Sequence, residues 1–223
     1  MPKISPFEKH TKQYEDWFEK NPWVYEAELR AVKAMFPSKG QGVEIGAGTG
    51  RFAEPLGIKI GVEPSKRMRG IAQKRGIRVL DGVAEELPFD DYTFDFVLMV
   101  TTICFVDDID RALLEAYRVL SHKGFLVIGF VDRDSMVGKM YSSRQNENVF
   151  YKDATFFSVD ELAGHMNRAG FIDLTFNQTI FKALSETTRD EQVKSGHGEG
   201  SFVVMRGRKE EARMDGKRKD EWG

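Results

Sequence analysis

The sequence predicts an α/β fold: an open, mostly parallel sheet with helices on both faces, an antiparallel C-terminal edge strand and an N-terminal helical lid. Three observations predict it. Between residues 42 and 80 the apolar runs GVEI, IKIGVE and IRVL alternate with helix-length segments, the rhythm of strand–helix–strand units whose strands lie parallel. The run FLVIGFV (125–131) is apolar at nearly every position, as a strand covered on both faces must be. FIDLTFNQTI (171–180) instead alternates apolar with polar residues, and SFVVMRGR (201–208) is suited to pair with it antiparallel at the sheet edge.

Taken in order, Phe7, Tyr14, Trp17, Phe18, Tyr25, Leu29, Val32 and Met35 recur at spacings near three and four, which predicts two helices sharing one aromatic face. Asn21-Pro22 separates them, because a residue ahead of proline is steered away from helical backbone. The first strand follows from Gly42, then a glycine loop, a short helix to Leu56, the second strand, a helix from Ser65 to Arg75, and IRVL. Phe94 to Val100 reads as a longer strand after the loop LPFDDYT. DDIDRALLEAYRVL puts Ile109, Ala112, Leu113, Ala116 and Leu120 on one helical stripe, and His122-Lys123-Gly124 marks a turn. Residues 132 to 157 are polar and aromatic without a clear period, so they are expected as an insertion over one end of the sheet. Ser158 to Glu161 forms a capping box at the start of a helix whose end at Gly170 suits a left-handed cap. The expected division is a lid over 1–38, a single ligand-binding domain over 39–208 with the 132–157 insertion on its substrate side, and a charged tail over 209–223.

Composition narrows the function. Of 223 residues, 33 are basic and 35 acidic, a net charge of −2, so no global field draws in nucleic acid or an anionic membrane. A small-molecule partner is expected, with oligomeric state left open. No apolar run is long enough to cross a bilayer, and MPKISPFEKH lacks a hydrophobic signal region, which reads as cytoplasmic. One cysteine, Cys104, and four scattered histidines (His10, His122, His165, His197) supply neither a disulfide nor a metal-ligand set.

The chemistry is concentrated in VEIGAGTGRF (43–52), which sets Gly46, Gly48 and Gly50 in alternation behind the first strand. A plain turn needs one or two such residues; three suggest that a ligand lies against bare main chain, beyond the carboxyl ends of the strands. A nicotinamide dinucleotide asks for G-x-G-x-x-G and therefore glycine at 51, where this chain has Arg51; E-x-G-x-G-x-G from Glu44 to Gly50 speaks against a pyrophosphate. Glu63 ends the second strand roughly 20 residues later, the place from which a carboxylate accepts both hydroxyls of a ribose. GVAEELPF (82–89) offers backbone N–H groups and apolar side chains to an adenine ring. A tight turn, a surface glutamate and an ordinary loop are the plain alternatives for these three features.

Together, VEIGAGTGRF, GVEPS (61–65), AEELPFDDYTFDFVLMV (84–100) and RALLEAYRVLSHKGFLVIG (111–129) resemble the class I S-adenosylmethionine-dependent methyltransferases, in particular the small-molecule "type 11" group that includes quinone-biosynthesis methyltransferases. The resemblance covers about residues 40 to 182. It implies a Rossmann-like sheet, S-adenosyl-L-methionine as cofactor and a methyl acceptor as substrate. On this resemblance Glu44, Gly46, Ala47, Gly48 and Gly50 wrap the methionine part, Glu63 binds the ribose with Pro64, Ser65 and Met68 beside it, and Ala84 and Glu85 border the adenine. The family usually carries an aspartate ahead of that alanine; here the position is Val83, so adenine is expected to be held by backbone and apolar contacts, or by Glu85.

A sulfonium methyl is already activated, so the protein has chiefly to align a nucleophile and exclude water. No triad or acid pair stands out, and a general base is needed only for an acceptor such as an amine. Tyr14 and Trp17 are expected over the cofactor, with Phe18 and Tyr25 beside the acceptor, their ring faces favouring a cation; packing on the core competes with this reading. Thr101 and Thr102 follow the fourth strand, where the family turns toward the transferred methyl, and either also suits a capping role. From the insertion, Tyr141, Arg144 and Tyr151, with Arg133 and Phe150, are candidates for holding an acidic or flat acceptor. A cofactor-binding module without catalysis and, less favoured, an NAD(P)-dependent oxidoreductase are the alternatives to a methyltransferase.

Overall fold

The computed structural model describes residues 4–37 and 39–210. Three helices come first: α1 (Ser5–Lys9), α2 (Thr11–Lys20) and α3 (Pro22–Met35). Then follow β1 (Gly42–Ile45), α4 (Ala53–Leu56), β2 (Ile60–Val62), α5 (Lys66–Lys74), β3 (Arg78–Leu80), β4 (Phe94–Val100), α6 (Ile109–Val119) and β5 (Leu120–Val131). The chain continues through α7 (Met136–Ser143), α8 (Val159–Arg168), β6 (Phe171–Thr179), β7 (Lys194–Ser195) and β8 (Phe202–Lys209). The strands form one sheet in the order β3-β2-β1-β4-β5-β8-β6-β7, with β3 through β5 parallel and β8 antiparallel to both its neighbours. This is the expected Rossmann-like sheet with antiparallel strands toward one edge.

The alternation of side chains explains the layers. In β4, Phe96, Leu98 and Val100 point to the face covered by α3, α4 and α5, while Val97 and Met99 point to the face covered by α6 and α8. Strand β8 follows the same rule, with Phe202 and Val204 on one face and Val203 and Met205 on the other, all fully buried. A strand apolar on both faces belongs inside a sheet, which is why β8 sits between β5 and β6 while half-exposed β6 lies outside it. Lys209, assigned above to the tail, is the last residue of β8; it is buried and donates to the carbonyls of Tyr117 (2.6 Å) and Leu120 (2.7 Å). The rest of the expected tail, 211–223, lies outside the described residues, as do residues 1–3 and 38 of the expected lid.

Three local differences matter for the site. The aromatic N-terminal segment forms a third, one-turn helix, α1, ahead of the expected pair. In α3 the buried stripe is Val24, Ala27, Glu28, Ala31, Val32 and Met35, turned about one residue from the expected face, so Tyr25 and Leu29 are half-buried at its margin. The stretch 132–157 contains α7, capped by the Ser135 side chain, which accepts from the N–H of Gly138 at 3.0 Å. Elsewhere the local reading holds: the Ser158–Glu161 capping box is formed, Gly170 takes φ +95°, and Lys123 turns at φ 64° as a bulge within a continuous β5.

Candidate active site

A cavity of about 680 Å³ opens beyond the carboxyl ends of β1, β2 and β4, roofed by α1–α3 and the segment containing α7. At one end its wall is main chain and short polar groups. Gly46, Gly48 and Gly50 all have left-handed backbone, at φ +69°, +54° and +84°. Their surroundings differ. A β-carbon on Gly48 would stand 3.3 Å from the Tyr14 hydroxyl, inside the cavity wall, whereas one on Gly50 would run into Ile77 behind the loop, and one on Gly46 into Thr102. Gly48 therefore keeps space for a ligand and Gly50 keeps space for the core.

Glu63, directly after β2, is buried at 8% exposure. Its Oε2 accepts the N–H of Gly48 at 3.0 Å and its Oε1 the N–H of Ser65 at 2.8 Å. An ionised carboxylate has about four lone-pair sites, so two remain for the hydroxyls of a ribose. Burial raises its pKa, and the two backbone N–H groups act against that rise. Ser65 is not in the cavity wall; it caps α5 by accepting from the N–H of Met68 at 3.3 Å and donates to Glu8 of α1 at 2.6 Å. Pro64 and Met68 do line the cavity. Glu44 and Ala47 do not. Because Val43 and Ile45 face α6 and α8, Glu44 turns to the opposite side, beneath the loop, where burial pushes its carboxyl well up and the N–H of Ala53 at the start of α4 opposes the rise. Its Oε2 has no hydrogen-bond partner among the described residues.

On the side where the resemblance expects adenine, the cavity wall is largely apolar. Val83, Ala84, Met68 and Val106 line it. Glu85 also borders the cavity, but its carboxylate accepts the N–H groups of Asp107 (2.6 Å) and Asp108 (3.2 Å), leading into α6. Asp81 is drawn away by Arg69, with contacts of 2.8 and 3.0 Å.

Beyond the end of β4, Thr101 lines the cavity with φ 50°, a conformation that residues other than glycine hold only where the surroundings impose it. Thr102 also lines it, but its hydroxyl faces the carbonyls of Ile45 and Val100, each at 3.1 Å, and so ties the end of β4 to the end of β1. Tyr14 stands between the two ends of the cavity, its hydroxyl pushed up by burial, its ring edge-on to Phe18 at 5.1 Å. Helix α2, which holds it, is fastened at Glu15: Oε2 meets Arg51 and Arg75, each at 2.7 Å, and Thr49 donates to Oε1. The Arg51 guanidinium also lies 5.0 Å over the Phe18 ring.

The far end is aromatic. Phe7, Trp17, Phe18, Tyr141, Phe150 and Tyr151 line it. Tyr141 and Tyr151 lie 4.7 Å apart, and Phe150 meets Phe7 at 5.4 Å, so the insertion and the lid close on each other. Tyr25 is not in this wall; it packs on Phe18 and Phe52, and its hydroxyl donates to the Arg51 carbonyl at 2.5 Å. Of the expected cations, Arg144 reaches the wall from an exposed position, while Arg133 is taken up by Glu161 at 2.7 Å on the surface. The buried charge-bearing group in this end is instead Glu28, 6% exposed, its carboxyl pushed up to about 8 by burial. Its sequence signal was a carboxylate on the apolar stripe of α3, between Val24 and Val32. Phe105 and Leu184 also reach the wall and carried no comparable signal.

A family model described as "Methyltransferase domain" matches residues 43–128. A crystal structure from Thermotoga maritima, of a SAM-dependent methyltransferase described as "possible histamine N-methyltransferase", is 55% identical, with a TM-score of 0.91 over 93% of this chain and 100% of that one. The chain belongs to the S-adenosylmethionine-dependent methyltransferases. An uncharacterized protein of Methanocaldococcus jannaschii is 45% identical to this chain over 202 residues, 91% of this chain and 98% of that protein. The fold is shared at 18% identity, TM-score 0.61, with Haemonchus contortus phosphoethanolamine N-methyltransferase 2 in complex with S-adenosyl-L-methionine, of whose chain it covers 52%. The cofactor of the family fits what the residues offer: bare main chain at Gly48, spare acceptor sites on Glu63, and an apolar slot at Val83.

Proposed function

We propose that this methyltransferase moves a methyl group directly onto a small organic acceptor enclosed in the aromatic end of the cavity. One observation carries the reading. The space beside Gly48 and Glu63 is continuous with the space lined by Tyr141 and Tyr151, so two reactants can meet within one enclosure. S-adenosylmethionine supplies a methyl already made electrophilic by its sulfonium. Gly46 and Gly48 admit the cofactor's backbone side, Glu63 anchors its ribose, and Val83, Ala84 and Met68 sandwich its base. Tyr14 brings the hydroxyl end of its ring over Gly48, beside the place of the cationic sulfur, and the closure of Phe7 on Phe150 excludes water, which strengthens every electrostatic contact inside. Residues 4–37 act as a lid, and the lack of a strongly basic surface agrees with a small acceptor over nucleic acid.

The experiment has two parts. Calorimetry with S-adenosylmethionine and S-adenosylhomocysteine tests the cofactor end, and transfer of labelled methyl to a panel of small amines, phenols and thiols tests the reaction. Binding with transfer to at least one class is expected. Binding without transfer across the panel would favour a module that has kept the cofactor and lost the reaction.

A further inference from the structure

Glu28 is a buried carboxylate with no hydrogen bond or ion pair to any described residue, set in the wall of the acceptor end. Its field is felt by three tyrosines on three separate elements: Tyr14 on α2, Tyr141 on α7 and Tyr151 beyond it. The other charged groups of the cavity wall are Glu63, Glu85 and Glu147, all acidic, and exposed Arg144. Of the remaining elements packed on α3, β8 turns Arg206 to the carbonyl of Met35 at the far end of the helix (3.4 Å), and β6 brings the neutral Thr175 to the Met35 sulfur. Among the described residues no buried cation answers Glu28. An unpaired buried carboxylate is costly, and it persists where a ligand brings the missing positive charge. Tyrosine rings around it favour the same kind of ligand.

We propose that Glu28 recognises the ammonium group of an amine acceptor and removes the proton that this group must lose before it can be methylated. The inference rests on the methyltransferase reading above and names the substrate class for it. The proton passes from nitrogen to the Glu28 carboxylate. The lone pair thus freed forms the new N–C bond while the methyl's old bond breaks with its electron pair left on sulfur; the product leaves as the methylated ammonium, and Glu28 releases the proton it took to solvent. An alkylammonium titrates near ~10 in water, within about two units of a carboxyl pushed up to about 8, so the exchange inside the closed chamber is close to balanced.

The test needs no turnover. The full-length protein is saturated with S-adenosylhomocysteine and titrated calorimetrically with 2-phenylethylamine, histamine and 3-methylbutylamine, and with 2-phenylethanol, imidazole and 3-methylbutanol, which lack the amine. At least one amine is expected to bind about tenfold or more tightly than its alcohol or, for histamine, than imidazole. Glu28→Gln is expected to remove that advantage, to leave alcohol and S-adenosylhomocysteine affinities unchanged, and to raise Tm at pH 8. Equal binding of amines and alcohols by the wild type, no amine bound at all, or amine affinity unchanged in Glu28→Gln would each overturn the proposal. So would a variant that loses affinity for S-adenosylmethionine and keeps it for S-adenosylhomocysteine, since that assigns Glu28 to the sulfonium. The wild-type comparison of amine with alcohol stands even without the variant. A wild type that retains neither form of the cofactor brings down the reading of the whole cavity instead.

Discussion

The two ends of the cavity are built from different materials. The end proposed for the cofactor is main chain: bare glycines, backbone N–H groups, and one carboxylate, Glu63, whose oxygens are already spoken for in part by Gly48 and Ser65. The end proposed for the acceptor is side chain: aromatic rings from α1, α2 and the 132–157 segment, around a carboxylate with no partner among the described residues. The difference teaches where a family stores what its members share and what they do not. A ligand gripped by backbone geometry tolerates few sequences, whereas a chamber of side chains can be refitted residue by residue.

The sharpest way to break this contrast is at the glycines. Gly48→Val is expected to abolish S-adenosylmethionine binding while circular dichroism stays native, because the new side chain enters the ligand's space. Gly50→Val is expected to cost stability instead, about 2 to 5 kcal/mol from strain and overpacking against Ile77, read by denaturant unfolding. If the two behaved alike, the division of labour within the loop would be wrong.

Next in size is the stability cost of the acceptor end. Glu28 titrates at about 8 in the folded protein against an ordinary 4.5, so between those values the folded state holds a proton that the unfolded state has released. Stability therefore falls as pH rises through that window. Glu28→Gln, which has no such proton to lose, is expected to be more stable by on the order of 3 kcal/mol at pH 7, with the gap closing toward pH 4.5. Flat curves for both proteins would show that Glu28 is not held dry.

Glu63→Ala sharpens the cofactor end: affinity for S-adenosylmethionine is expected to drop about tenfold or more, the worth of roughly 1.5 to 3 kcal/mol of charge-assisted hydrogen bonds, with amine binding untouched in calorimetry. A smaller effect concerns the fastening between the ends. Burial acts to raise the Glu15 pKa, but hydrogen bonds from Arg75, Arg51 and Thr49 outweigh it and leave the carboxyl below its ordinary value. Its contribution is thus present above the ordinary pKa near 4.5 and lost as pH falls through the lowered one. Glu15→Gln is expected to cost ~1–2 kcal/mol at pH 7 and nothing in strong acid. The smallest change is Tyr25→Phe, about 1 kcal/mol of stability with both affinities intact, since its hydroxyl serves Arg51 and not the cavity.

The same contrast decides what the sequence could tell. Strands β1 to β5 and the glycine loop were readable because their signals are local: alternating apolar runs, glycines at fixed offsets, and a glutamate at a strand tip. Ser65, expected beside the ribose, lies outside the cavity wall and caps α5: a strand-to-helix junction needs a cap and a ligand site needs a hydroxyl, and the letter S is the same for both. Glu44 also lies outside the wall, because the family pattern fixes its position in β1 but the parity of that strand turns it under the loop. The acceptor end was legible only as a pool of aromatic residues. Which of them converge depends on the packing of α3 and on how residues 132–157 fold back. Glu28 shows the limit well: a lone carboxylate within an apolar stripe carries meaning only once the stripe is seen to face a cavity.

Phe7 leans on Phe150 and also meets Phe105 edge-on at 4.8 Å, joining the two coverings of the cavity over its mouth. Parting these rings to admit one reactant uncovers the compartment of the other as well. On the proposed reading, entry and departure are thereby collective events, with both products leaving through a shared doorway.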